Sequence, residues 1–479
     1  VNLKSVIRLI GLILVMLGAS MLLPVAVSVY FRENAVTGLL LASVLVMTSG
    51  GLLYLLTRKT EELSNRDGFG VVTFGWLCVS LAGALPYLLT GSIPNLTDAF
   101  FESVSGFTTT GATILVNIEA HSHGILLWRS FTQWVGGMGI IVFSIAILPF
   151  LGVGGMQMFK AESPGLKTDK ITPRIRQTAE ILWVIYLLIT LIEVILLRLG
   201  GMGWFDAACH SLTTMSTGGF STKNASIAYY QSDYIHYVIT LFMFIAAVSF
   251  TLHTYALRGQ VKRYWSSPEF RFFSILTALF ILIITVERLI SGDPLSIAFR
   301  DSAFQVVAIV TTTGYATADY ELWHFSVQGL LVILMLMGGM AGSTAGGIKA
   351  VRVQILLKQA RIELHKLVHP NTLYPIRLGR KVIQHDIVQN VLAFFLLYVL
   401  LMIFGTLAMA LLGLDHVTSL TSVISALSNV GPALGATGPT DNYSAIPFAG
   451  KWLLALLMLI GRLEIFTVLV LLTRTYWSR

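Results

Sequence analysis

Charge is what this chain has least of. Of its 479 residues only 12% are Asp, Glu, Lys or Arg, while 55% are hydrophobic. A soluble protein carries roughly a quarter charged residues, so the deficit excludes a water-bathed globular domain and places most of the chain in lipid. Cysteine is scarcer still. Cys78 and Cys209 are the two, both in apolar surroundings, which leaves no disulfide framework and no thiolate metal site. No spacing pairs a nucleophile with a base, and no enzyme is expected. The net charge of +8 would suggest nucleic acid in a soluble protein. In a membrane protein it reflects Lys and Arg gathered in cytoplasmic loops, so no nucleic-acid partner is expected.

The absence of positive charge is itself patterned. No Lys or Arg lies between Arg66 and Arg129, and none between Leu414 and Gly450. By contrast Lys160–Arg176 carries five, Arg258–Arg271 four and Lys349–Lys381 eight. The basic connections are expected to be cytoplasmic, the bends without Lys or Arg outside, and both termini inside. The basic loops could also contact anionic lipid.

Two apolar runs near 6–30 and 36–57 open the chain. The first is expected to be a retained membrane helix rather than a signal peptide, and together they form a two-helix hairpin at 1–66. Beyond this hairpin the chain is repetitive. Phe100–Ala112 reads FFESVSGFTTTGA, an apolar helical run ending in three threonines and a glycine. The pattern returns around Gly219, Gly314 and Gly431, at spacings of 108, 95 and 117 residues. Thirteen residues before each glycine stand Asp98, Asp206, Asp301 and Thr418, which suit helix N-caps. Apolar positions follow at ten, seven and four before it: Phe101, Val104 and Phe107; Cys209, Leu212 and Met215; Phe304, Val307 and Val310. The fourth copy has Thr421, Ile424 and Leu427. About ten residues of helix reach about 15 Å, half a bilayer core, so each segment must enter and turn back.

Flanking spans are expected near 69–90 and 124–150, 178–199 and 234–257, 271–290 and 326–357, and 388–413 and 448–473. The fold class is therefore an all-α polytopic membrane protein: ten transmembrane helices plus four re-entrant pore helices. They form four helix–pore–helix repeats at 67–152, 177–258, 270–358 and 386–479. Non-helical backbone at membrane depth is tolerated only where protein or water satisfies it. Four such stretches around an axis offer rings of carbonyl oxygens that replace a cation's hydration shell. The expected contributors are Thr110 and Gly111, Gly218 and Gly219, Thr313 and Gly314, and Val430 and Gly431. Glu102, His210 and Gln305, nine before the glycine, either brace this backbone from behind or pack helices. Gly136-Gly137-Met138-Gly139 reads as close helix packing. His121 and His123 lack further ligands for a metal.

Five glycines in ten residues, Gly338, Gly339, Gly342, Gly346 and Gly347, cannot hold a straight helix. With Ser343 and Thr344 they read as a polar intramembrane loop. GSTAGGIK approaches a phosphate loop but lacks the required Lys and Ser/Thr order and a preceding strand. Arg462 sits mid-span, where a charge is costly unless it serves a purpose. It acts either as a barrier to cations or by holding carbonyls of the loop. Glu464, two residues on, diverges from it on a helix and is no partner.

The pieces FTTTGAT (107–113), TTMSTGGFST (213–222), TTTGYAT (311–317) and SNVGPALGATGP (428–439) resemble the superfamily of potassium transporters that contains TrkH, TrkG, KtrB and the plant HKT proteins. The likeness covers the whole chain, and the leading hairpin makes it most similar to the TrkH type. The resemblance implies a single potassium pathway, with potassium as the transported substrate and no cofactor. It also implies a gate at 338–347 with Arg462 beside it, a homodimer in the bacterial inner membrane, and a cytosolic nucleotide-binding regulatory subunit of the TrkA type. Glycine at all four positions implies potassium preference. A sodium-permeable relative and a secondary carrier with repeated halves are the alternatives. The fourth segment departs most, with Val430 and Pro432.

Overall fold

The computed structural model describes residues 2–57, 65–146, 171–370, 375–379 and 381–477. The hairpin is Leu3–Ser20 running on through Leu22–Tyr30, packed against Val36–Leu56. Its seam is made by small residues: Gly11 and Gly50 face each other's backbone, so that a Cβ on either would strike the opposite carbonyl.

Four units come next, each a long helix, a short helix, an extended segment and a second helical stretch. The short helices are Leu96–Phe107, Trp204–Met215, Leu295–Val310 and His416–Ser428. They are enclosed by the longer helices, and the expected apolar stripe is buried at every position except half-buried Leu212. The leading spans are Asn65–Leu89, Ile171–Leu199, Pro268–Ile290 and His385–Leu411. In the last of these only 22% of the apolar window is buried inside the protein, so its outer face meets lipid. Among the described residues six helices are long and apolar enough to cross a membrane, or eight if each bent pair is one span.

Two of the second spans differ from expectation, while the third breaks at the glycine-rich loop as expected. In the second unit, 234–257 is not one helix but Asp233–Ala247 and Phe250–Leu257, bent by 102°. In the fourth, Phe448–Arg462 and Phe466–Leu472 are bent by 107°. In the third, Phe325–Leu336 stops at the glycine-rich loop and Ala350–Val368 resumes beyond it. The first unit's His123–Ala146 is continuous, and its expected end near 150 lies outside the described residues, as do Lys160, Lys167 and Lys170.

A break inside a membrane needs its freed backbone groups satisfied, and the second unit shows how. Met340 N donates to Ala247 O at 2.9 Å, and Phe250 N donates to Gly342 O at 3.0 Å. The loop of the third unit thus fills the break of the second. That dependence on a distant segment is why local sequence reads as a plain span. The chain is also not wholly helical, since Arg377–Leu378 and Lys381–Val382 pair as a two-residue antiparallel hairpin in a basic connection.

Candidate functional site

The four short helices end identically. Thr109 N, Thr217 N, Thr312 N and Asn429 N bond to carbonyls three residues back. The next residue in each case (Thr110, Gly218, Thr313, Val430) bonds five residues back, at 2.8–2.9 Å. This is a Schellman-type cap, which requires a left-handed residue at its corner. The corner residues have φ of 53°, 54°, 58° and 58°. Asn tolerates that region, but three β-branched threonines are held there at a cost of about 1 kcal/mol each or more. The glycines two residues on are left-handed as well: φ is 84° at Gly111, 76° at Gly219, 77° at Gly314 and 103° at Gly431. The residue between has negative φ in every copy. Alternating hand along an extended segment turns successive carbonyls to one side, where ordinary strand backbone would alternate them.

The segments close into a ring. A Cβ built on Gly111 would overlap Gly218 O, one on Gly219 would overlap Thr313 O, and one on Gly314 would overlap Val430 O; from Gly431 the contact is 2.5 Å to Thr110 O. The order runs one, two, three, four and back to one. Only glycine admits this approach. A second ring of bonds closes outside it in the same order. Ile118 N donates to Asn224 Oδ1 at 2.7 Å and Ala316 N to Ser226 Oγ at 3.2 Å. Gly435 N donates to Glu321 Oε1 at 2.6 Å, and Tyr443 N to Thr113 O at 2.8 Å. Gly111, Gly219, Gly314 and Gly431 all line one cavity, together with Lys223 and Asp441.

The residues nine before the glycine brace the backbone rather than pack helices. Glu102 accepts from Thr113 Oγ1 and Ile114 N at 2.9 Å and from Arg129 Nε at 2.8 Å. His210 Nε2 meets Ser221 Oγ at 2.9 Å, and Gln305 Nε2 reaches Ala318 O at 3.4 Å. Arg129 was not singled out by sequence, although a lone arginine in an apolar span is the same signal as Arg462. It is 1% exposed and also donates to Ser221 O at 3.0 Å, tying unit one to unit two. Replacing Glu102 by Gln strands a buried guanidinium, and about 3 kcal/mol of stability should go with it. Thermal unfolding in detergent checks this, and an unchanged midpoint contradicts the bracing. Gln133, likewise not foreseen, donates to Gly218 O at 2.7 Å and accepts from Phe220 N at 3.0 Å.

The acids expected as helix caps are not caps. The N-caps are Asn95 and Asp415, whose side chains accept from Thr97 N and Thr418 N, with Gly203 and Pro294 in the other two copies. A cap needs non-helical backbone, and Asp98, Asp206, Asp301 and Thr418 already lie inside the helix. Asp98 instead binds Lys451 Nζ at 2.6 Å, Asp206 accepts from Thr222 Oγ1 at 2.7 Å, and Asp301 pairs with Arg300 at 2.9 Å. Hydrogen bonds from Thr418 hold the Asp415 carboxyl below its ordinary range.

The glycine-rich loop packs against the ends of the short helices that lead into this ring. Gly346 N donates to Thr312 Oγ1 at 2.7 Å, and Thr344 Oγ1 donates to Met215 O and Ala246 O at 3.1 Å. Met337 and Ile348 bridge its mouth, Ser343 Oγ folds back onto Met340 O at 2.7 Å, and Gly342 and Gly347 take left-handed φ. Gly338, Gly339 and Gly346 each press on backbone, the last on Ser428 O. Arg462, 2% exposed, donates from Nη1 to Thr344 O at 2.6 Å and from Nη2 to Gly136 O at 3.4 Å. Of its two expected roles, the geometry is that of holding loop carbonyls. Glu464 pairs with Arg352 instead. Gly136 packs on Phe107 O and Gly137 on Ser216, so that glycine cluster is a close packing surface, as expected.

The sequence profile of the TrkH family, described as a cation transport protein, matches residues 39–478. The chain is 41% identical over 483 residues to the Trk system potassium uptake protein TrkH of Escherichia coli, with 99% of each chain covered. It is 40% identical to the protein of that name in Halomonas elongata, with both chains fully covered. It also resembles the crystal structure of the potassium transporter TrkH from Vibrio parahaemolyticus, with a TM-score of 0.93, 38% identity and complete coverage of both chains. This chain belongs to the TrkH family of cation transport proteins.

Proposed function

We propose that the chain takes potassium into the bacterial cell through one channel-like pore on the axis of its four units. The closed cycle of glycine-on-carbonyl contacts from Gly111 round to Thr110 O carries this reading. Ten membrane spans, three of them broken, surround four re-entrant helices. The ion arrives in the outer cavity and exchanges its water for the carbonyl oxygens of Thr110, Gly218, Thr313 and Val430 and for carbonyls of the glycine level above them. The negative ends of four short helices converge on the same place. The loop 338–347 is the gate: Gly338, Gly339, Gly342, Gly346 and Gly347 let it fold, Ser343 and Thr344 pin it, and Arg462 holds it across the pathway. The inner membrane is its location, with both termini cytoplasmic. Two copies pair as a homodimer, and a cytosolic nucleotide-binding subunit of the TrkA type moves the gate. Relatives named for potassium uptake support the choice of ion.

Rubidium and sodium uptake into reconstituted vesicles tests the proposal. Rubidium entering about tenfold faster than sodium is expected for a carbonyl-lined filter; equal fluxes would sink potassium preference and favour a sodium-permeable pore.

A further inference from the structure

Hydrogen bonds at the glycine ring set the fourth segment apart from the others. Each backbone carbonyl has two lone pairs, and a buried one is almost always satisfied. Among the described residues the carbonyl oxygens of Gly111, Gly219 and Gly314 accept no hydrogen bond from the protein. Gly431 O accepts two: from Ser425 Oγ at 2.8 Å and from Tyr443 OH at 2.7 Å. Both donors lie behind the segment, Ser425 on the short helix of the same unit and Tyr443 in the loop after it. Gly431 also has the most divergent φ, 103° against 76–84°. It is buried, whereas the other three glycines are partly exposed. Tyr443 is itself fixed, with its N–H on Thr113 O of unit one and its ring 5.5 Å from that of Phe101.

We infer that the ion site at the glycine level is three-sided, with Gly111, Gly219 and Gly314 supplying its carbonyls, and that Tyr443 and Ser425 are positioning residues that withhold Gly431 O from the ion. This deepens the filter reading and rests on it. A cation there lies off the axis, towards units one to three, and takes water on the open side. Fewer carbonyls mean weaker discrimination between potassium and sodium, because selectivity grows with the number of oxygens replacing the hydration shell. The chain thus holds its own selectivity below what four equal segments would give.

Two measurements test this. Tyr443→Phe removes one donor and keeps the ring, and Ser425→Ala removes the other. Each is expected to raise the potassium-over-sodium permeability ratio, the pair together by about fivefold, the worth of one net hydrogen bond. A purely structural brace predicts the opposite sign, since a loosened segment discriminates less. An unchanged or lowered ratio in both single variants overturns the inference. Should neither variant fold, rubidium anomalous scattering from crystals of the unaltered protein decides. The expected peak is displaced towards Gly111, Gly219 and Gly314, and a peak within coordinating distance of Gly431 O refutes the three-sided site. Gly314→Ser, measured alongside, separates the two levels of failure. If it shifts the ratio while Tyr443→Phe does not, the filter stands and only the asymmetry falls.

Discussion

Cells that depend on this chain for potassium are expected to stop growing at limiting potassium when Gly314 becomes serine. Residue 314 has φ of 77°, and an added Cβ overlaps Val430 O and lies 2.7 Å from Pro432 Cδ. The backbone penalty alone is about 1–2 kcal/mol. The collision adds more, and it can be relieved only by displacing the third segment from the fourth, which opens the carbonyl ring. Rubidium uptake should fall by about tenfold or more, and the preference over sodium with it. Gly91→Ala is the control: φ is 71°, but nothing lies within 4 Å of the added Cβ. It carries the conformational cost without the collision, so transport should stay close to that of the unaltered chain. Equal losses in the two variants would mean that general destabilisation explains both.

The second large effect is expected at Arg462. Its replacement by glutamine removes charge-assisted bonds to Thr344 O and Gly136 O, each worth about 1.5–3 kcal/mol. The loop then keeps Thr344 Oγ1 on Met215 O and Gly346 N on Thr312 Oγ1 but loses its tether to the last span. Basal rubidium leak without any regulatory subunit should rise by about tenfold or more. Arg462→Lys discriminates between tether and charge barrier. Lysine keeps the charge, but its compact ammonium lacks the guanidinium's planar fork and cannot span the same two carbonyls. A leaky lysine variant supports the tether, a tight one supports the barrier, and a glutamine variant no leakier than the parent contradicts both.

What the sequence carried was whatever repeats. The four glycines and the three-residue apolar stripe come from local periodicity and are legible as such, as are the hairpin and the broken span at 338–347. The left-handed threonines at 109, 217 and 312 are not, because positive φ is ordinarily read from glycine and asparagine, and threonine gives no sign of it. The breaks at Ala247 and Arg462 also escaped. The apolar run continues across the first, and at the second Arg462 and Glu464 interrupt it without announcing a bend; in both the loop of another unit docks at the break. Asp98 and Thr418 read as caps from residue type and their place thirteen before the glycine, yet the capping role falls three residues earlier, on Asn95 and Asp415. Gln133, Ser425 and Tyr443 act through one or two contacts each with backbone elsewhere in the ring. No motif marks them, and only the closed ring gives them a target.

Planar-bilayer recording under opposed potassium and sodium gradients tests the central claim most directly, with the unaltered chain and Gly314→Ser side by side. The carbonyl ring predicts unitary, ohmic steps for the unaltered chain, reversing near the potassium equilibrium potential, and a reversal displaced towards that of sodium in the variant. Saturable exchange without unitary currents, or one reversal potential shared by both proteins, would contradict it.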